Sequence, residues 1–208
     1  MTRQLPARLT RYAVALFILF VSAATPSRDG SRPDEWGVRV VHAAPTTITV
    51  TTTQDELNGD TSSFEDLIDN PGGAGISLRE AITAANAMPP GPRLFIHFAI
   101  PDTDPGYETG SLLWRIQPGP LALPTLTRGN VLIDGTTQPG ADLVSHPVIL
   151  LDGTNVYEGD KGLNGLTITS AGNVIRGIAL ILFWDAGVLI EGADASNNVL
   201  TGNYLPCE

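Results

Sequence analysis

The last 80 residues confine the fold most tightly, because one short pattern returns there. Gly129-Asn130-Val131-Leu132-Ile133-Asp134-Gly135 recurs as Gly172-Asn173-Val174-Ile175-Arg176-Gly177, and again as Asn197-Asn198-Val199-Leu200-Thr201-Gly202. The second and third copies match at an offset of 25 residues at Asn173/Asn198, Val174/Val199, Gly177/Gly202 and Leu180/Leu205. Gly165-Leu166-Thr167-Ile168 matches Gly187-Val188-Leu189-Ile190 at an offset of 22. A period in the low twenties, made of short strands each ended by Gly or Asn, is the mark of a solenoid. Leucine-rich repeats share the period but need an L-x-x-L-x-L framework, which is absent. The expected fold class is therefore all-β, a parallel β-helix.

The physics of that expectation is direct. Each coil carries an inward set of Val, Ile or Leu that it cannot bury alone, and stacking the next coil buries both sets and completes the backbone hydrogen bonds. Aligned by pattern, Asn130, Asn173 and Asn198 occupy one turn position, with Asn173 and Asn198 stacked where a left-handed residue is wanted. Gly177 and Gly202 close the matching strands. The first coil's open end then needs a covering element.

Upstream, residues 46–53 (TTITVTTT) are all β-branched and alternate Ile48 and Val50 with Thr, which predicts a strand with one buried face. Residues 54–75 read as a polar loop. Ser77 and Glu80 have capping-box spacing: the hydroxyl accepts the N–H three residues on, and the carboxylate reaches back. Leu78, Ile82 and Ala85 fall on one face, and Pro89-Pro90-Gly91-Pro92 stops the helix. This amphipathic helix lies where a cap for the coils belongs. Strands are expected at residues 94–100, 112–116, 131–133 and 148–151.

Charge narrows the partners. The formal net charge is −10, and all 22 acids lie beyond residue 24, whereas Arg3, Arg8 and Arg11 precede it. Phosphate binding needs clustered Lys and Arg, so nucleic acid is not an expected partner. The lone cysteine, Cys207, permits no internal disulfide and no Cys-based metal site; its role is left open.

Residues 1–24 read as a signal peptide, with three Arg followed by the apolar run 12–24 (YAVALFILFVSAA), which is short for a bilayer span. Residues 25–44 read as a linker or propeptide, and small residues near 24 and near 44 offer two cleavage sites. The expected location is secreted or cell-surface, with no membrane association after processing. Residues 45–92 are expected to form the N-terminal cap and residues 93–208 the first coils.

A family resemblance enters at these residues. Thr47-Ile48-Thr49-Val50-Thr51-Thr52-Thr53-x-Asp55-Glu56, followed by Ser77-Leu78-Arg79-Glu80-Ala81-Ile82-x-Ala84-Ala85-Asn86-Ala87, resembles the CSLREA domain that opens many large secreted or surface proteins of bacteria. Ile133-Asp134-Gly135-Thr136-Thr137-Gln138-Pro139-Gly140 is similar to the first-coil segment of those proteins. The resemblance covers about residues 45–205. It implies a right-handed parallel β-helix of the pectate-lyase-like kind, with the helix as N-terminal cap. Ile76 stands where that family carries Cys, so the implied disulfide cannot form, a loss of roughly 2–4 kcal/mol of loop constraint. Relatives continue for many coils, so the reading is of a β-helix incomplete at its C-terminus, a truncated frame or a fragment.

The coil region carries the carboxylates Asp134, Asp142, Asp152, Asp160, Asp185, Glu191 and Asp194. Glycoside hydrolysis needs a carboxylate pair at about 5–9.5 Å, and the sequence offers no Asp-Asp pair and no His-Gly segment. Asp134 and Asp152 both precede Gly and are expected to serve their turns. Arg176 is expected to be solvated, and His97 to sit on a strand face; His42 and His146 are isolated. Trp114 and Trp184 are expected in the core. No catalytic, cofactor-binding or metal residue is assigned. Calcium is the single ion left open, since Asp152-Gly153-Thr154-Asn155 is acidic and turn-like yet too sparse for a calcium loop.

The expected function is a secreted or surface β-helix module with a scaffold or adhesion role and no catalysis of its own. The alternatives are a remnant of a polysaccharide lyase or glycoside hydrolase, and a cap segment that pairs at another β-helix's open edge. Expected partners are extracellular polysaccharide, another surface protein, or a second copy through that edge.

Overall fold

A computed structural model describes residue 44 and residues 46–141, 145–158 and 161–206. The signal-peptide and linker segments (Ala44 apart), His42, Asp142, Asp160 and Cys207 lie outside the described residues.

The β-branched run near the N-terminus forms β1 (Thr47–Val50), shorter than the 46–53 expected. The chain then leaves the strand: Ile76 donates its N–H to Thr51 Oγ1 and its carbonyl accepts the Thr51 N–H, both at 2.9 Å. Residue 76 is thus held through both of its backbone polar groups and by a buried Ile side chain. The loop expected over 54–75 contains a short helix, α1 (Phe64–Asp69), which buries Phe64 and Leu67. Ser63 caps it by accepting the Asp66 N–H. Six residues are too few for a helical period to stand out, and the Ser63-x-x-Asp66 spacing is its one local signal.

The capping box opens α2 (Leu78–Ala87). Leu78, Ala81, Ile82, Ala84 and Ala85 turn into the same core as the strands. Helix α2 packs against β1 and against β2 (Leu94–Phe98). Further strands are β3 (Tyr107–Glu108), β4 (Leu113–Ile116), β5 (Val131–Asp134) and β6 (Ile149–Asp152). There follow β7 (Tyr157–Glu158), β8 (Lys161–Gly162), β9 (Leu166–Ile168), β10 (Val174–Arg176), β11 (Ile178–Ile181), β12 (Val188–Ile190) and β13 (Val199–Thr201). Leu112 stays outside β4 because its φ of 54° breaks the extended run.

The described chain is mostly strand, with few helices and largely parallel pairing. One sheet has the order β1-β2-β5-β10-β13, parallel throughout. A second has the order β11-β6-β4-β3, parallel apart from the β3–β4 pair. A third pairs β12 with β9 in parallel, and an isolated bridge joins Leu126 to Ile168. The β7–β8 pair is an antiparallel hairpin. From β5 onward the chain visits the three parallel sheets in a fixed order: β5, β6, β9, then β10, β11, β12, then β13 and the Tyr204 bridge to Ala179.

Registers build the core as columns. Ile48, Ile96, Ile133, Ile175 and Leu200 are successive partners across the first sheet. Ile116, Leu151 and Leu180 do the same across the second, and Leu126, Ile168 and Ile190 across the third. All three columns point inward, and burying each such side chain contributes roughly 1.5–3 kcal/mol.

One sequence alignment needs correction. The pattern set Asn130 level with Asn173, but β5 and β10 pair Leu132 with Val174 and Ile133 with Ile175. Asn130 is therefore level with Gly172 and Asn197, and these three carry the left-handed φ values of 53°, 73° and 55°. Asn173 and Asn198 are not left-handed; they follow that turn. Burial sets the register: Ile133 and Ile175 are inward, and a slip of one residue would turn Ile175 out to solvent.

Candidate functional site

The assigned cap residues converge on one carboxylate. Ser77 Oγ accepts the Glu80 N–H at 3.1 Å, and Glu80 Oε2 accepts the Ser77 N–H at 2.9 Å. The other oxygen, Oε1, accepts the N–H groups of Asn58 and Gly59, each at 2.8 Å. A fully buried carboxylate is tolerable only when its lone pairs are matched in this way. Ser77 Oγ also donates to the Glu56 carbonyl. Sequence reasoning found the box but not the loop that Glu80 gathers, which lies more than 20 residues upstream. Leu78, Ile82 and Ala85 are buried beneath it.

Beside the box, Asp55 receives Arg79 Nε and Nη2 at 2.9 and 2.7 Å, and the Gly119 N–H at 3.0 Å. Arg79 also donates to the carbonyls of Leu121 and Ala122. Asn86, near the far end of α2, donates to the Thr125 carbonyl and accepts the Thr127 N–H. The helix that packs on β1 and β2 is thereby also tied to the segment 121–127.

The repeat residues form a polar ladder. Asn173 Oδ1 accepts the Val131 N–H, and Asn198 Oδ1 accepts the Asn173 N–H at 2.8 Å and its Nδ2 at 3.0 Å. Both amides donate to the Ser170 carbonyl. Gly177 and Gly202 end their strands at φ 64° and 62°, and a Cβ on Gly135 would strike the Gly177 carbonyl. Gly135, Thr136, Ser145, His146, Gly177 and Gly202 line a shallow depression of about 230 Å³.

The outward face of the second sheet holds a charged cluster that the sequence did not reveal. Arg115 bridges Glu108 at 2.5 Å and Asp152 at 2.6 Å, and Gln117 donates to the same Asp152 oxygen. The hydrogen bond from Arg115 draws Glu108 below its ordinary range, and the bond to Glu108 raises Arg115. Burial pushes Asp152 up, but donors from Thr154, Arg115 and Gln117 outweigh it and the net shift is down. Asp104 behaves alike: burial raises it, while Thr53, Gly106 and Thr52 donate to it and hold it low.

Asp134 and Asp152 each cap a 3-10 turn through the N–H and hydroxyl of the Thr two residues on. Arg176 is half exposed yet stands 3.6 Å from Asp134, so it is not simply solvated. His97 lies on the strand face, edge-on to Phe95. Trp114 is buried and donates to the Pro101 carbonyl. Trp184 departs from the core expectation at 81% exposure. Leu182 has a left-handed φ of 57°, which turns Phe183 inward against Gly153 and leaves Trp184 outside.

Among the described residues, no group of three His, Cys, Asp or Glu side chains is placed to hold a metal ion, and no helix is long and apolar enough to cross a membrane. No protein-family model, no curated protein and no solved structure matches the chain.

Proposed function

We propose that the chain is a secreted or cell-surface module, a right-handed parallel β-helix whose role is structural or adhesive and which has no catalysis of its own. The observation that carries the fold reading is the register: strands offset by 25 residues lie side by side, Val174 against Val199, and three inward columns run through the stack. Helix α2 across the β1 end supports its role as N-terminal cap, in keeping with the resemblance to CSLREA-domain proteins.

The chemistry of the outer faces favours a scaffold. Asp134 and Asp152 are spent on turn N–H and hydroxyl groups, and Asp152 and Glu108 share one guanidinium. An extracellular polysaccharide or a surface protein is the partner class, and the exposed Trp184 ring offers a stacking face for a sugar. A glycan array on the full chain, run beside lyase and hydrolase assays with calcium, tests the reading. Binding without turnover is expected; cleavage of any uronate polymer overturns it.

A further inference from the structure

The arginines of the described chain divide into two groups. Arg79, Arg115 and Arg176 each face a carboxylate. Arg93, just before β2, and Arg128, just before β5, face none among the described residues. They share one corner of the stack, because β2 and β5 are neighbours. In a chain with 22 acids against 12 bases, two guanidinium groups left together without a counter-charge call for a reason.

Neutral groups hold both. Arg128 donates Nε and Nη2 to the Pro89 carbonyl at 3.1 and 3.0 Å, and Nη1 to the carbonyls of Pro92 and Gly129 at 3.0 and 3.1 Å. Arg93 donates Nε to Asn130 Oδ1 at 3.1 Å and Nη2 to the Gly172 carbonyl at 3.3 Å. Each guanidinium thus grips the segment that carries the other. The carbonyls orient these groups but cancel no charge. Burial pushes Arg128 below its usual value, and no carboxylate offsets that. Arg93 is exposed, and its Nη1 has no partner among the described residues.

The surroundings leave the two charges standing. Residues 81–92, 116–127, 129–133 and 162–175, which build the corner, carry no charge. Glu191 and Asp194 lie in the turn between β12 and β13, and neither forms an ion pair with Arg93 or Arg128. Their turn leads into β13, two strand spacings from β5, roughly 10 Å, where salt screens their repulsion of an anion.

We propose that Arg93 and Arg128 bind a phosphate monoester carried by an extracellular polysaccharide. The carrier rests on the polysaccharide reading above; the anion rests on charge placement alone. A guanidinium presents paired N–H donors that match phosphate oxygens. A phosphate monoester carries about −1.5 to −2 at pH 7, which balances two cations, whereas a carboxylate balances one. The ligand is a single compact group, because the chain's net charge of −10 repels a long polyanion.

Nitrogen-15 NMR of the arginine Nε–H groups, on the full chain at neutral pH and fixed ionic strength, reads the site. Inorganic phosphate and glucose-6-phosphate are expected to shift the Arg93 and Arg128 signals saturably, and acetate at the same concentration to shift them far less. Arg93→Gln keeps an amide for Asn130 and Gly172 and should weaken phosphate binding on the order of tenfold. The titration of the unmodified chain stands even where that variant folds poorly. Signals that ignore phosphate, a response to acetate equal to that to phosphate, or binding unchanged in a folded Arg93→Gln variant overturns the site. Phosphate binding with no phosphorylated glycan retained on the array removes the polysaccharide carrier and leaves the anion site. Phosphorylated glycans held equally by the parent chain and by Arg93→Gln remove the site and leave the polysaccharide reading.

Discussion

Among the described residues, the two ends of the five-stranded sheet differ in what covers them. At the β1 end, α2 lays an apolar face on the core, and Glu80, Arg79 and Asn86 tie it to loops from three parts of the chain. At the β13 end, the same isoleucine column runs out in a leucine open to water. The middle strands are nearly interchangeable, so the contrast isolates what a cover contributes: it converts a half-solvated rung into a buried one. Loops without repeat character supply that cover, held by a few polar side chains.

Substitutions at matched positions sharpen this contrast. The largest effect is expected from Glu80→Ala, which strands three backbone N–H groups in a buried site at about 1–3 kcal/mol each, on the order of 4 kcal/mol in all. Urea unfolding followed by circular dichroism measures it, and a loss below about 1 kcal/mol would mean that water replaces the carboxylate. Next comes a paired comparison within one column. Ile133→Ala should cost about 3 kcal/mol, and Leu200→Ala under about 1, because only the first leaves a cavity. Equal losses would break the contrast between the ends.

Ser77→Ala should remove about 1 kcal/mol through the lost cap, read by the same unfolding curves. The smallest effect concerns acid. Asp104 titrates below its ordinary 3.8 in the folded chain. Its contribution is therefore present above the unfolded pKa and is lost as pH falls through the lower folded value. Asp104→Asn should flatten the acid limb of a stability–pH curve below pH ~4 and leave its neutral part unchanged in slope. An acid limb as steep as that of the parent chain would show that other carboxylates dominate.

What could be read from the sequence follows the range of the interaction. The Ser77–Glu80 box is local, and so is the alternation that puts Ile48 and Val50 on one face. The link from Val174 to Val199 was legible because the copies match one for one. The Asn130 alignment went wrong because Gly-Asn and Asn-Asn pairs offer two equally good local matches. Only the burial of Ile133 against Ile175 decides between them. The Arg115 cluster was invisible: Glu108, Arg115 and Asp152 meet through pairing across 37 residues, and no short pattern marks them. Trp184 was misjudged because a left-handed Leu at residue 182 resets which neighbour points inward.

The ties of Arg79 carry a consequence for the order of events as the chain is made. The carbonyls it holds lie 42 and 43 residues downstream, and Asn86 waits for partners a further few residues on. A polypeptide emerging amino end first therefore has its lid helix long before it has the seat for it. The N-terminal closure is completed only once the segment around residues 121–127 has arrived, so the roof settles after the first walls are standing.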